Sequence, residues 1–253
     1  MRTLHETNLI FRRAMRLSLR NPVWVILGLI QPILYLTMFG PLLENMTEVQ
    51  GWPAGDAWQV FVPGLLVQLG IFGAAFVGFG LVAEMRAGVV ERMRVTPASR
   101  LALLLGRVMR DVVVLFVQGV ILIGCAELFG LDAPLGGLIL GLLVVAALGA
   151  AFSSASYAAA LILKSEDALA PLANGLAVPL LLLSGILLPM SLAPGWLETV
   201  SDANPVKHVV DGVRALFLEG HITMTVVWGV FAAAGLVAAG MALGTRTFER
   251  ESG

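Results

Sequence analysis

Residues 84–111 read EMRAGVVERMRVTPASRLALLLGRVMRD. The stretch carries six arginines and three acids in a chain that is only 13% charged, and long apolar runs flank it on both sides. An Arg or Asp near the centre of a bilayer costs about 2.5–3.5 kcal/mol even on the mildest scale. Glu84–Asp111 is therefore read as a water-facing loop between two membrane spans. Within it, Gly88 opens a short run, Val89 to Arg94, and Pro97 stops it. A residue before proline is pushed out of the helical region, which makes Thr96 the boundary. The pattern predicts a short helix on the cytoplasmic face, offered to something outside the chain. A solvated basic loop that only fixes topology accounts for the same residues, and both readings stand at this point.

Composition agrees with a membrane protein. Of 253 residues, 58% are hydrophobic, and the mean hydropathy is +0.90; soluble domains sit near 45–50% apolar and about 25% charged. The single cysteine, Cys125, excludes a disulfide framework within one chain. His5, His208 and His221 are too scattered to suggest a metal site. No basic, aromatic-interleaved surface points to nucleic acid.

Working outward, the predicted fold is all-α and integral to the membrane, a single transmembrane domain over 1–253. Six spans are expected: Val23–Leu43, Trp58–Ala83, Val112–Leu131, Leu135–Leu163, Ala168–Pro189 and Met224–Leu243. Each is near or above the ~20 residues that cross ~30 Å of hydrocarbon. Before them, within 1–22, Arg12, Arg13, Arg16 and Arg20 fall on one side of a helix, with Leu4, Ile10, Phe11, Ala14, Met15 and Leu17 on the other. That is an amphipathic helix suited to the headgroup plane, arginines toward anionic lipid. With the N-terminus inside and six spans, fourteen of the sixteen Lys and Arg fall on the inner side and only Lys207 and Arg214 outside. This asymmetry predicts cytoplasmic termini and a cytoplasmic 84–111 loop. The outer segment 190–223 holds Pro194, Pro205 and an amphipathic run, Val206–Leu218. Short helices that dip back and pack on the spans are expected there, since irregular backbone at that depth must be covered by protein or trapped water.

Enzyme chemistry finds little support. A P-loop needs Gly-x4-Gly-Lys-Ser/Thr, and neither Lys164 nor Lys207 follows a glycine loop, so nucleotide-driven work needs another subunit. Ser184 with His208 could suggest an intramembrane protease, but small residues of this kind also serve helix packing. Asp211-Gly212-Val213-Arg214-Ala215 partly matches a lipid phosphotransferase metal motif and lacks its second pair of aspartates. A bilayer structural or assembly protein is the other alternative. The polar residues inside the spans are Gln31, Tyr35, Gln68, Gln118, Glu127 and Asn174. They serve either interhelical hydrogen bonds or a polar path. Gln31-Pro32 stands out, because a proline there frees a carbonyl and bends the helix.

Two stretches resemble a known family. Glu84 to Gly88, Glu91-Arg92, Thr96-Pro97-Ala98-Ser99-Arg100 and Leu105-Gly106-Arg107 are similar to the cytoplasmic loop of type-2 ATP-binding-cassette (ABC) exporter permeases. Asn204-Pro205-Val206 through Asp211–Ala215, after a span ending in Ser184 to Pro189, resembles their last periplasmic-side segment. The nearest flavour is the daunorubicin/doxorubicin efflux branch; Val89-Val90, where many relatives have threonine and leucine, departs from it. The resemblance implies a permease of a bacterial plasma membrane. It would pair with itself and dock two separate ATPase subunits, which bind the ATP and Mg; this chain would hold no cofactor. Glu84, Gly88, Glu91, Arg92, Met93, Arg94, Thr96 and Pro97 would form the coupling element. A hydrophobic or amphipathic drug or lipid-like cargo would pass Gln31, Tyr35, Phe39, Gln68, Phe72 and Asn174. Pro189, Asn204, Pro205, Asp211 and Arg214 would belong to its gate.

Overall fold

The structure, a computed structural model, describes residues 2–50, 52–89 and 99–250. Ten α-helices and a 3-10 turn appear among them: α1 (Arg2–Arg20), α2 (Val23–Glu44), α3 (Ala57–Ala75), α4 (Gly78–Arg86), α5 (Arg100–Leu128), α6 (Leu135–Leu163), α7 (Glu166–Leu182), the turn Met190–Leu192, α8 (Gly195–Asp202), α9 (Pro205–Glu219) and α10 (Met224–Arg250). Among the described residues five segments are long and apolar enough to cross a membrane: Val25–Glu44, Ala57–Arg86, Arg100–Leu128, Leu135–Leu163 and Met224–Phe248. The expected span over Ala168–Pro189 is shorter than predicted. It is α7, of 17 residues, or about 25 Å at 1.5 Å per residue, and it ends at Leu182 before a turn in which Gly185 takes φ 72°.

The bundle is organised around α3 and α6. Helix α3 is buried along nearly its whole length. Helix α6 touches α3, α4, α5, α7, α9 and α10. Leu65, Leu66, Leu69, Leu142, Val145 and Leu148 from these two helices sit in the main apolar core. A second core gathers Leu81, Val82, Leu104, Val108, Tyr157, Leu161 and Leu169 at the end of the bundle that carries the loop.

Three local features refine the sequence reading. Helix α5 begins at Arg100 rather than Val112, so residues 100–111 are helix and not loop. Its start is an ordinary N-cap: the Ser99 side chain accepts from the Ala102 amide at 3.2 Å. The apolar side of α1 is covered by protein in part: α1 packs on α5, where a Cβ at Gly106 would meet Ile10 at 2.7 Å, while Leu4 and Leu17 stay exposed. Arg12, Arg13, Arg16 and Arg20 lie exposed on the opposite side. The second expected span is broken at Phe76-Val77, between α3 and α4. There the Ser156 hydroxyl of α6 donates to the Ala75 carbonyl at 2.6 Å and accepts from the Gly78 amide at 3.0 Å. One side chain thus satisfies both backbone groups that the break would leave bare.

Candidate functional site

The predicted coupling element lies mostly outside the described residues; Glu91, Arg92, Met93, Arg94, Thr96 and Pro97 all fall in 90–98. Its base is described. Helix α4 leads into it and ends at Arg86, with Gly88 two residues on at φ 68°, and α5 leads out. The two are joined by an ion pair from Arg107 to Glu84, 2.5 Å between Nη2 and Oε2, with the arginine side chain 9% exposed. Helix α1 is tied to the same base, since the Ser99 amide donates to the Glu6 carboxylate at 2.8 Å.

One turn further along α5 lies a polar cluster. Asp111, 2% exposed, accepts from the Tyr157 hydroxyl of α6 at 2.6 Å. Arg110 Nε stands 3.1 Å from Asp111 Oδ1. The same guanidinium reaches the Tyr157 oxygen at 3.3 Å and Ser18 of α1 at 3.4 Å. A buried carboxylate holds its charge only beside a cation and donors, and here three helices provide or receive them. The sequence reading counted Arg107, Arg110 and Asp111 as loop charges. The signal that would have moved them into a helix is Ser99 as N-cap ahead of Leu101, Leu104 and Val108, spaced at three to four residues.

The predicted gate residues converge where α7 ends. The last carbonyls of a helix lack intrahelical partners, and α7 stops among protein. Asn204 Nδ2 donates to the Leu180 carbonyl at 2.9 Å, while its Oδ1 caps α9 by accepting from the Val206 amide at 3.0 Å. Pro205 is the first residue of α9, where a missing amide hydrogen costs nothing. Arg214 Nε donates to the Val60 carbonyl of α3 at 2.9 Å, and its Nη2 donates to the Gly185 carbonyl at 2.6 Å. The arginine therefore fastens α9 to both α3 and the turn after α7. Gly64 makes room for that turn: a Cβ there would come within 2.3 Å of the Ile186 carbonyl oxygen. Burial lowers the Arg214 guanidinium to about 10, still charged at neutral pH. Burial pushes the Asp211 carboxyl up, against the pull of Arg214, which stands 3.8 Å away. Pro189 is drawn in less directly, as the residue preceding the 3-10 turn.

The six predicted path residues do not form one cluster. Gln31, Tyr35 and Phe39 follow one face of α2, with a Gln31 Nε2 to Tyr35 hydroxyl contact of 3.4 Å and an edge-on Tyr35–Phe39 pair at 5.5 Å. Gln68 is buried on α3, and its Oε1 has no hydrogen-bond partner among the described residues. Phe72 sits 6.3 Å from Phe76. Asn174 is exposed on α7 and donates to its own helix at Ala170. Gln118 serves packing instead, donating to the Val25 carbonyl of α2 at 2.8 Å. Ser184 and His208 do not form a dyad: the hydroxyl donates to Leu181 at 2.8 Å, and the imidazole Nε2 lies 3.0 Å from the Asp202 carbonyl.

Comparison with known proteins places this geometry. The chain is 27% identical over 200 residues to ycf38 of Cyanophora paradoxa, named as a transport permease, covering 78% of this chain and 69% of the relative. It is 26% identical over 210 residues to the daunorubicin resistance ABC transporter permease protein DrrB1 of Streptomyces coeruleorubidus, 81% and 72% of the two chains. Identity to the doxorubicin resistance ABC transporter permease protein DrrC of Mycobacterium tuberculosis is 23% over 222 residues, 87% and 78%. The family model for the ABC-2 type transporter matches residues 5–218, which spans the α4–α5 loop base and the Asn204–Arg214 junction alike. This multi-pass, all-helical membrane chain belongs to the ABC-2 type transporter family.

Proposed function

We propose that this chain is the membrane-spanning permease subunit of an ATP-driven exporter that moves a hydrophobic or amphipathic compound, and that it pairs with a second copy and with two separate ATPase subunits in a bacterial plasma membrane. The observation that carries the reading is the loop base. The two helices that flank this basic segment are fixed to each other by Glu84–Arg107, and the start of α5 is bound to α1 through the Ser99 amide and Glu6. A loop that only sets topology has no need of such an anchor; one that receives force does. On this reading residues 88–96 dock the ATPase, both termini are cytoplasmic, and ATP with Mg is bound by the partner alone.

Pairing draws support from α2 and α7. Helix α7 buries only Leu169, Ala177 and Leu181, and it exposes Asn174 together with Leu172 and Leu176. A polar side chain in such a helix faces a bundle interior or a wet cavity rather than lipid. A second copy set against α2 and α7 would give Gln31, Tyr35 and Asn174 that interior, with cargo passing between the copies.

The test is the double reversal Arg92→Glu with Arg94→Glu. In a docking groove, like-charge contact costs several kcal/mol; in a solvated loop the change is worth no more than about 0.5 kcal/mol. Normal insertion with lost ATPase co-purification is expected. Co-purification and export at the parent level would withdraw the docking assignment, and ATP hydrolysis by the purified chain alone would sink the subunit reading.

A further inference from the structure

Helix α7 is held at its two ends and loosely between them. At the loop end, Glu166 of its first turn pairs with Arg86, the last residue of α4, at 3.3 Å. Three residues on, Leu169 is 1% exposed and packs where a Cβ at Gly78 would come within 3.0 Å. At the opposite end, Asn204 holds Leu180 and Arg214 holds Gly185. Between these fixings Pro171, Leu172, Asn174, Gly175 and Leu176 are exposed. Helix α4, in turn, has one end at the Ser156-bridged break and the other at the loop. It carries two charged side chains there: Glu84 reaches back to α5, and Arg86 reaches across to α7.

We propose that the Arg86–Glu166 ion pair is a positioning link that makes α7 a strut between the loop base and the Asn204–Arg214 junction, so that displacement of α4 at the loop is delivered to the far end of the bundle through α7. Pro171 and Pro179 each remove one backbone hydrogen bond from α7, but the remaining ladder still resists compression along the axis, and the two ends move together when the middle has few neighbours to resist. Glu84–Arg107 couples α4 to α5, which supplies Leu115 and Leu122 to the main core and Leu104 and Val108 to the second. Arg86–Glu166 couples it to α7, which buries only Leu169, Ala177 and Leu181. The assignment rests on the transporter reading for its direction of force, but the strut itself is a property of this chain.

The experiment places a reporter cysteine at Leu188, 47% exposed just past the Gly185 turn, in a Cys125→Ala background, and follows maleimide labelling in nanodiscs. In the chain alone, Arg86→Glu and Glu166→Arg should each change the Leu188→Cys labelling rate by about threefold, within the range of an exposed ion pair replaced by like charges. The exchanged pair, Arg86→Glu with Glu166→Arg, should restore the rate, and a control cysteine at Glu48 should be indifferent. Unchanged labelling at Leu188 in the single reversals overturns the strut. So do failure of the exchange to restore a chain that inserts normally, and an equal change at Glu48. Adding the ATPase with ATP and vanadate separates the two claims. An ATP-dependent rate change is expected in the parent and the exchanged pair and not in the single reversals. A parent without any ATP response counts against the transporter reading, while the labelling in the chain alone still decides the strut.

Discussion

Replacing Arg214 with Met should loosen the junction at the end of α7 by a predictable amount. The guanidinium donates to two carbonyls, Val60 at 2.9 Å and Gly185 at 2.6 Å. Val60 is 3% exposed and Gly185 is buried, so water cannot simply take the place of the arginine. An unsatisfied buried polar group costs about 1–3 kcal/mol, which puts Arg214→Met at about 2–6 kcal/mol for two carbonyls. Arg214→Lys keeps the charge but presents no fork that spans both oxygens, so it should recover roughly half of that loss. Asn204→Ala removes the bond to Leu180 and the cap on Val206, for about 1–3 kcal/mol. The two sites share one turn, so the double variant should depart from additivity. Reversible unfolding in mixed micelles, followed by tryptophan fluorescence, measures each change. The reasoning is refuted if Arg214→Met lies within about 0.5 kcal/mol of the parent, the range of an inconsequential surface change, or if Lys serves as well as Arg.

Three further outcomes can be checked. Cysteines at Glu48 and Val200, both exposed, should label from outside intact cells with an impermeant reagent in a Cys125→Ala background, with Arg94→Cys silent; the reverse pattern inverts the proposed topology. Ser156→Ala strips a partner from both the Ala75 carbonyl and the Gly78 amide and should cost about 2–6 kcal/mol in the same micelle assay, whereas a loss below about 0.5 kcal/mol would mean the break holds itself. A hydrogen bond from Lys207 holds the Asp202 carboxyl below its ordinary value. A lowered folded pKa adds stability above the unfolded value, near 3.9, and loses it as pH falls through the folded one. Amide exchange over 195–207 should therefore be flat from pH 7 down to about 4, after correction for intrinsic rates, and faster below that; Lys207→Met should abolish the step.

Much of the architecture was legible because hydrocarbon punishes charge so heavily. Apolar runs near 20 residues located the five long helices, four of them with starts within a position of where they stand and α5 twelve positions late. The same rule misled at 100–111. Arg107, Arg110 and Asp111 forbade a lipid-facing helix, yet α5 runs through them because Glu84, Tyr157 and Ser18 come from three other helices to meet them. Partners far apart in sequence leave no local trace. Helix α7 was read too long for the related reason that apolarity continues through Leu183 to Leu188, while the backbone turns at Gly185. The junction residues were legible in kind, since Asn204-Pro205 is a helix start by its chemistry. That Arg214 would reach back to Val60, 154 positions earlier, follows from the folded arrangement alone. The face of α1 was legible as amphipathic, and its partner was not: a periodic apolar stripe records that something covers it, and α5 and a lipid surface look alike in one dimension.

The Ser156 hydroxyl has a consequence for how such a chain can be recombined. Backbone continuity between α3 and α4 is interrupted, and the two groups on either side of the interruption are satisfied by α6 rather than by each other. Short turn bonds hold the break itself, from the Val77 amide to Ala74 at 3.4 Å and from the Phe79 amide to Phe76 at 3.1 Å, while the Ala75 carbonyl and the Gly78 amide depend on Ser156. A chimera assembled from two permeases will tolerate mismatch best if the crossover in this helix is cut at 75–78 and the donor's residue 156 is a serine. Above the cut, sequence can answer to whatever lies between the membrane faces; below it, sequence can answer to the loop. The hydroxyl is small enough to go unnoticed in an alignment of apolar spans, and it marks the seam along which the two can be inherited separately.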